Sequence, residues 1–404
     1  ERSHTVWSTL SRTHNSVRHI PSHRFDIGAA VRAAPQLLYV LHGHFVHVAE
    51  LYDHRQFGMS PAEVRATDPS HRVMLEAVFG ACLQADHSKS STLGSATGMF
   101  LGICNVADWV NVQRDMAEQG SVYGAHGSDG GAAAGRVSYL LGLKGPCFSV
   151  NTACSSSLVA LDAAYQNLQL HTCNRCVVAG VCLHMHATSF GAFCALHALS
   201  PDGQCKTFDG KADGYGRSEA VGAVNLARTS GSMLKLCGTS VNQDGRSASF
   251  MAPNGLSQQA VVRAAMQVQY RPYCVEVHGT GTALGDPIEV GALHRVLGST
   301  TGRMDPVTLG ALKSLMAHSE GAAGMAGLVK VVHVLKRHNM PSNLHLRAAN
   351  PKLDLDGFSV VMATQGTGLV STQELQIGVS SFGYSGTNSH ATLSTGGHVS
   401  FGAA

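Results

Sequence analysis

The sequence predicts an α/β protein built from two similar halves, and two observations support this. A β-prone run at 148–150 meets small residues around Cys154, after which apolar side chains recur at positions 158, 161, 165 and 168, which is helical spacing. Later in the chain a strand pattern ends at His278, and His318 opens a second helix rich in small residues. The repeated order of strand, loop and helix favours two related halves within the 404 residues.

Two helices and a buried strand are predicted ahead of the first of these motifs. Ser60 suits a helix N-cap because Pro61 follows at the first helical position and Glu63 stands three residues after the cap. Asp68-Pro69 opens a second helix, and the apolar residues 97–103 predict a strand. We expect these elements to build the fold and not the chemistry.

The remaining predicted elements are three strands and a helix, at 176–182, 221–226, 234–238 and 258–268. The first of these strands is continuously apolar, which is typical of a central strand buried on both faces. Arg217 and Glu219 precede the second strand, and we expect them to form a structural ion pair.

The charge and hydropathy patterns exclude two classes of partner. A net charge of +3, from 29 Lys and Arg against 26 Asp and Glu, provides no large basic field, so nucleic-acid binding has no support. No apolar run approaches the roughly 20 residues of a membrane span, and no signal peptide precedes the first motif. We expect an intracellular protein of the cytoplasm, or of the plastid in an algal-type host.

Cysteine and histidine usage predicts no metal site. Eleven cysteines, an odd number without a regular framework, indicate reduced thiols. Cys173 and Cys176 form one C-x-x-C, and because no second pair accompanies it we expect no zinc. Close histidine pairs arise by chance among 23 histidines, so we assign structural or surface roles to two of them, His42 with His44 and His184 with His186.

Cys154 is a candidate nucleophile because it lies at the turn from a strand into a helix. Unpaired backbone N–H groups and the macrodipole at a helix N-terminus favour negative charge, so the predicted pKa of this thiol is below the roughly 8.5 of free cysteine. The alternative is that Cys154 is one more small buried residue ahead of a helix, which is where free cysteine is usually found.

Two further motifs decide between these alternatives. Residues 275–289 read VEVHGTGTALGDPIE and residues 313–328 read KSLMAHSEGAAGMAGL. With residues 145–165 around Cys154, in this order, they closely resemble the β-ketoacyl synthase (condensing enzyme) family of fatty acid and polyketide synthases, whose active site is one Cys and two His. Residues 380–390, SSFGYSGTNSH, resemble the closing Gly-rich turn of the same family.

This resemblance implies a thiolase-like fold. Its two related halves, here 1–230 and 231–404, hold mixed five-stranded sheets in an αβαβα layering, and the family forms homodimers. Family members carry a strand ahead of the stretch that begins here at Trp7, and this chain starts at Glu1. We therefore expect an excised fragment or an incomplete gene model, with a weakened edge of the first sheet.

The resemblance also implies a reaction in two stages. In the first, an acyl group moves from a carrier thioester to Cys154, and the backbone N–H groups of Cys154 and Tyr384 form the oxyanion hole. Phe382 and Gly383, in the last Gly-rich turn, are expected to contact the substrate.

In the second stage a malonyl-type thioester loses carbon dioxide, and its carbanion attacks the acyl group. His278 and His318 are expected to stabilise the enolate through their N–H groups, and Lys313 is expected to support the orientation and charge state of the second histidine. Thr280 and Thr282 are expected to contact the pantetheine arm.

The expected partners follow from the same resemblance. We expect no tightly bound cofactor, substrates carried on the phosphopantetheine of an acyl carrier protein, and attached or associated acyltransferase and other synthase domains. Ser385 and the loop at 241–247 favour the type I polyketide branch.

Several alternatives remain open. A degradative thiolase uses a second cysteine where this chain has His318, and a chain-initiating synthase uses Cys, His and Asn. A non-elongating or catalytically inactive partner is also open, because 315–317 and Asn151 depart from the family pattern.

Overall fold

The first part of the chain alternates helices and strands around one sheet. The structure, a computed structural model, describes residues 3–47, 49–105, 107–116, 121–228, 233–266, 272–298, 306–369, 374–396 and 399–403. Up to residue 228 the elements are α1 Ser3–Ser11, β1 Arg18–His19, α2 Ile27–Ala33, β2 His42–Gly43, α3 His54–Phe57, α4 Pro61–Ala66, α5 Pro69–Gln84, α6 Lys89–Thr92, β3 Thr97–Ile103, α7 Ala107–Asp115, α8 Gly124–Gly127, α9 Gly130–Leu141, β4 Cys147–Val150, α10 Ser156–Gln169, β5 Arg175–Cys182, α11 Ala187–Ala195 and β6 Ala220–Arg228.

The second part repeats the alternation around another sheet. Its elements are β7 Leu234–Gln243, α12 Gly255–Ala265, β8 Cys274–Glu276, α13 Gly285–Leu293, a π-helical turn at His294–Gly298, β9 Val307–Gly310, α14 Lys313–Met316, a 3-10 turn at Glu320–Ala322, α15 Ala323–Arg337, β10 Asn339–Met340, β11 Val360–Met362, β12 Thr367–Gly368, β13 Gln376–Phe382, β14 Thr387–Thr395 and β15 Val399–Ala403.

Both main sheets are mixed. The first has the order β15-β6-β5-β3-β4, with β3 parallel to β4 and β5, and with β6 antiparallel to β5 and β15. The second has the order β11-β9-β8-β13-β14-β7, in which only the pairings of β14 are antiparallel. One edge of the first sheet is thus formed by β15, from the end of the described chain.

Helices α10 and α15 lie between the two sheets, and the other long helices cover the outer faces. Helix α10 contacts β3 and β5 of one sheet and β7 and β14 of the other, and α15 contacts β5 and β6 as well as β13. Helices α5 and α9 pack on the outside of the first sheet, and α12 packs on the outside of the second. A core of aliphatic side chains from both sheets surrounds α10 and α15. The predicted αβαβα layering is confirmed.

Most predicted elements are confirmed, and the exceptions are local. Ser60 caps α4 by accepting the Glu63 N–H at 3.1 Å, and Asp68 caps α5 through the Ser70 N–H at 2.6 Å. The second sheet has six strands and not five, because the three-residue strand β11 pairs parallel with β9. The predicted boundary at 230/231 and the predicted helix end at 268 lie outside the described residues.

A helix that crosses a membrane has to be both long and apolar. Within the described part of the chain, no helix combines these two properties to the extent that a membrane span needs.

Candidate active site

Cys154 lies in the short loop between β4 and α10, where both halves of the protein hold it. The preceding Ala153 has a positive φ of 54°, which makes a sharp turn out of the strand. Ser381 of β13, in the other half, donates a hydrogen bond to the Cys154 carbonyl oxygen at 2.7 Å. The thiol is nearly buried, since Cys154 is 8% exposed. The predicted position of the nucleophile at a strand-to-helix turn is confirmed.

The predicted low pKa of this thiol is wrong. Burial, with a smaller contribution from the Glu320 charge, raises the pKa of Cys154 to about 12. The Lys313 charge and a hydrogen bond from the Tyr384 backbone N–H oppose this rise. Loss of hydration outweighs the helix N-terminus, which begins two residues later at Ser156. The thiol is therefore protonated at neutral pH.

His278 follows strand β8 and has a defined tautomer. The Phe382 backbone N–H donates to its Nδ1 at 3.3 Å, so the ring proton of the neutral imidazole is on Nε2. Burial, together with the Lys313 charge, lowers the pKa of His278 well below its usual value. Glu289 accepts the His278 backbone N–H at 2.7 Å. The site thus holds a neutral imidazole that can donate from Nε2.

His318 faces His278 edge to face, with ring centroids 5.3 Å apart and an interplanar angle of 90°. Its backbone is held on both sides, because its N–H donates to Gly216 O at 2.8 Å and its carbonyl accepts from Ser218 N at 2.9 Å. Burial and the Lys313 charge lower the pKa of His318 well below its usual value. As predicted, His318 precedes a helix rich in small residues, because a 3-10 turn begins two residues later at Glu320 and runs directly into α15 at Ala323.

Ala317 holds His318 in place through an unusual backbone conformation. Its φ of 59° and ψ of −169° lie in a region that essentially only glycine adopts. Ala317 is one of the positions at which the sequence departs from the family pattern, and its methyl group makes this backbone conformation strained.

The half of the chain that holds the two histidines also holds Lys313, Thr280 and Thr282. Lys313 is 7% exposed, so it is not a surface lysine. Thr280 and Thr282 lie in the loop after His278, and their hydroxyl oxygens are 3.1 Å apart. Gly383 packs so closely that an added Cβ would lie 2.5 Å from Thr152 O.

A cavity of about 100 Å³ adjoins Cys154. It is lined by Cys104, Asn105, Asn151, Ala153, Cys154, Phe193, Tyr215, Glu320 and Tyr384. Tyr384 is 44% exposed, and its ring packs edge to face on Phe193 at 6.0 Å. Five of the lining residues were not predicted from the sequence: Cys104, Asn105, Phe193, Tyr215 and Glu320. Glu320 stands two residues after His318, a proximity that could have revealed it.

The predicted ion pair between Arg217 and Glu219 is wrong. Arg217 instead donates to both carboxylate oxygens of Glu320, at 2.7 and 2.9 Å, and both side chains are buried. Glu219 accepts from Arg24 at 3.1 Å. Each partner comes from a distant part of the chain, so spacing along the sequence could not indicate the pairs.

Two groups of side chains could be mistaken for metal sites. Cys104, Cys182 and Glu320 have ligand atoms within 4.8 Å of one another and form the one such group among the described residues. Arg217 already binds that carboxylate, and its positive charge disfavours a cation there. The C-x-x-C sulfurs at 173 and 176 are 3.2 Å apart and contact each other.

A cysteine, two neutral histidines and two mixed sheets in five layers define the class of thiolase-like condensing enzymes. Two sequence profiles of one family match the chain: Beta-ketoacyl synthase, N-terminal domain, at residues 1–231, and Beta-ketoacyl synthase, C-terminal domain, at residues 234–347. The chain therefore belongs to the β-ketoacyl synthase family, as the sequence predicted.

Similar proteins are polyketide synthases. The spectinabilin polyketide synthase system protein NorC of Streptomyces orinoci is 37% identical over 96% of this chain and 18% of that protein. Erythronolide synthase EryA3 of Saccharopolyspora erythraea is 38% identical over 87% of this chain and 11% of that protein. The chain thus spans less than a fifth of the length of these relatives.

Solved structures are similar as well. The oxazolomycin ketosynthase domain OzmH KS7 of Streptomyces albus JA3453 has a TM-score of 0.89 at 29% identity, covering 97% of this chain and 72% of that chain. A ketosynthase from module 6 of the bacillaene synthase of Bacillus subtilis 168 has a TM-score of 0.88 at 30% identity, covering 97% and 69%.

Proposed function

We propose that the chain catalyses the decarboxylative condensation of a Cys154-bound acyl group with a malonyl-type thioester on an acyl carrier protein, as part of polyketide synthesis. The observation that supports this most is the arrangement of His278 and His318, two neutral imidazoles in edge-to-face contact. The His318 ring also packs on Tyr215, which lines the cavity at Cys154. The relatives, both polyketide synthases, support the polyketide branch.

In the first stage the Cys154 sulfur attacks the acyl thioester carbonyl. The carbonyl oxygen becomes an oxyanion, which the backbone N–H groups of Cys154 and Tyr384 stabilise. The carbonyl then re-forms, the carrier thiol leaves with a proton, and the acyl group is on Cys154. Support for the role of Tyr384 comes from its place beside Cys154 at the wall of the cavity, where its backbone N–H favours the ionised thiol and so lowers the pKa of Cys154. Phe382 and Gly383 form the adjoining wall for the substrate.

In the second stage the bond between the malonyl carboxylate and its neighbouring carbon breaks, releasing carbon dioxide and leaving an enolate. His278 donates from Nε2 to the enolate oxygen, and His318 is the second donor. The carbanion attacks the acyl carbonyl and Cys154 leaves as the thiolate. Burial keeps both imidazoles neutral, and the positive charge of the buried Lys313 adds to this effect.

The proposal includes partners. The substrates arrive on the phosphopantetheine of an acyl carrier protein, whose arm contacts Thr280 and Thr282, and the chain works as a homodimer with associated acyltransferase and other synthase domains. We also propose that 1–230 and 231–404 are its two related halves. The length of the relatives, which are several times longer than this chain, supports associated domains.

The test is the intact mass of the protein after exposure to acyl thioesters and then to malonyl-carrier protein, with Cys154→Ala as control. The proposal requires an acyl adduct on the wild type alone, which disappears as a β-ketoacyl thioester forms. An adduct that malonyl-carrier protein never discharges would instead identify a non-elongating acyl-transferring protein. No adduct with any thioester would contradict both functions.

A further inference from the structure

Asn105 is one of the residues that line the same cavity as Cys154. Asn105 follows strand β3 and has a positive φ of 61°, a conformation that asparagine and glycine tolerate better than other residues. Its side chain is partly buried. The loop therefore presents this amide at the wall of the cavity.

Three acceptors hold the Asn105 nitrogen. Nδ2 lies 3.0 Å from Glu320 Oε2, 3.2 Å from His184 Nδ1 and 3.3 Å from Cys182 Sγ. His184 Nε2 faces the Ser218 carbonyl oxygen at 3.1 Å, so the ring proton is on Nε2 and Nδ1 is an acceptor. The reverse orientation of the amide would direct its oxygen at these acceptors.

The charge state of the neighbours supports the same orientation. Burial tends to raise the pKa of Glu320, but the Arg217 charge lowers it to about 2, so Glu320 is an anion that requires a donor. Burial lowers the pKa of His184 to about 3, so the imidazole is neutral. With Nδ2 engaged by these acceptors, Oδ1 is the amide atom left to bind a group that enters the cavity. Among the described residues, none donates a hydrogen bond to this oxygen.

We propose that Asn105 Oδ1 accepts a hydrogen bond from a hydroxyl group on the acyl chain held by Cys154, and so selects 3-hydroxyacyl substrates. This inference rests on the proposed function, because it requires an acyl group on Cys154. Asn105 then acts as a specificity-determining residue in the first stage.

The proposed reaction explains why we expect the hydroxyl group on carbon 3 of the acyl chain. Condensation leaves a keto oxygen on that carbon, and reduction of the keto group would leave a hydroxyl there. A hydroxyl donates to Oδ1, whereas a keto oxygen is an acceptor that Oδ1 repels. A saturated chain leaves the amide oxygen desolvated without a partner, which is unfavourable. The reaction that supplies the preferred substrate is therefore a ketone reduction.

The experiment measures the rate of acyl adduct formation by intact mass, using N-acetylcysteamine thioesters of butyryl, 3-oxobutyryl and each enantiomer of 3-hydroxybutyryl. For one enantiomer we expect a kcat/KM about three- to tenfold above that for butyryl, which is the usual effect of one hydrogen bond. The 3-oxobutyryl thioester should react no faster than butyryl. Equal rates for all four thioesters would overturn the inference, while the acylation itself would still support the proposed function.

The variant Asn105→Gly removes the oxygen and suits the positive φ. The ratio of the 3-hydroxybutyryl rate to the butyryl rate should fall to about one, and a general loss of activity would not change this ratio. Asn174→Gly, an exposed asparagine outside the cavity, is the control and should keep the wild-type ratio. A hydroxyl preference that persists in Asn105→Gly would overturn the role of Asn105. Absence of any adduct on the wild type would contradict the proposed function itself.

Discussion

Glu289 holds the backbone of His278 from helix α13. Its two carboxylate oxygens accept the backbone N–H groups of His278 and Gly279, at 2.7 and 2.8 Å. Glu289 is 3% exposed, and burial raises its pKa to about 7. A buried carboxylate that binds two adjacent N–H groups fixes the direction in which the histidine leaves the strand. The position of His278 therefore depends on a residue that does not reach the substrate.

Replacing this carboxylate with an amide gives the first prediction. In Glu289→Gln one oxygen becomes an NH₂ group that faces a backbone N–H, leaving a buried donor unsatisfied. We expect the free energy of unfolding in urea to fall by about 1–3 kcal/mol. Decarboxylation should fall more than acylation of Cys154, because His278 moves. Glu50→Gln, at a half-exposed glutamate, should change neither rate, and an unaltered Glu289→Gln enzyme would contradict the role of Glu289.

Acid should destabilise the fold. Burial lowers the pKa of five histidines far below the usual value: His71, His184, His278, His318 and His390. Below pH about 6.5 the unfolded chain binds protons at these residues, while the folded protein does not. The free energy of unfolding therefore falls as the pH falls, by up to about 1.4 kcal/mol per histidine and pH unit.

Buried carboxyl groups act in the opposite direction. Burial raises the pKa of Asp286 to about 6 and that of Glu289 to about 7, so their contribution to stability falls as pH rises. Asp68, whose pKa burial also raises to about 6, acts in the same way. Because the five histidines are more strongly shifted than these three carboxyl groups, we expect a lower free energy of unfolding at pH 5.5 than at pH 7.5. Equal or greater stability at pH 5.5 would show that the histidines are not kept neutral.

We expect Ala317→Gly to stabilise the protein, whereas most substitutions by glycine are destabilising. Its backbone lies in a region that costs non-glycine residues about 1–3 kcal/mol, and relief of this strain should exceed the entropic cost of glycine, which is about 0.5–1 kcal/mol. Ala317→Gly should therefore unfold at higher urea concentration than the wild type. Ala192→Gly, at an exposed position inside helix α11, is the control and should be destabilising. If both glycine variants were less stable than the wild type, the claim that the backbone at Ala317 is strained would be refuted.

Lys313 should control the charge state of both histidines. Burial is the main cause of their lowered pKa values, and the Lys313 charge is the next. In Lys313→Met the pKa values of His278 and His318 should rise, which histidine NMR signals followed during a pH titration would report. Lys144→Met, at an exposed lysine, should leave both unchanged. If the histidine pKa values were unchanged in Lys313→Met, the proposal that Lys313 controls their charge state would be contradicted.

Local sequence predicted the elements of the site well and their long-range partners poorly. The strand before Cys154 and the position of His278 after β8 were predicted from residues that are neighbours in sequence. The fold that joins these elements was predicted from the family resemblance. The pKa of Cys154 could not be predicted, because it depends on how much protein covers the thiol. Arg217 and Asn105 find their partner Glu320 across more than a hundred residues. Such contacts are formed only when the two halves pack together.

The central claim is that Cys154 carries the acyl group while His278 and His318 drive loss of carbon dioxide. The most direct test is the release of labelled carbon dioxide from malonyl-carrier protein by the acylated enzyme, compared among the wild type, His278→Ala and His318→Ala. Both variants should still form the acyl adduct, and carbon dioxide release should fall by about 10²-fold or more, as expected on losing one preorganised donor. Release at the wild-type rate by either variant would contradict the claim.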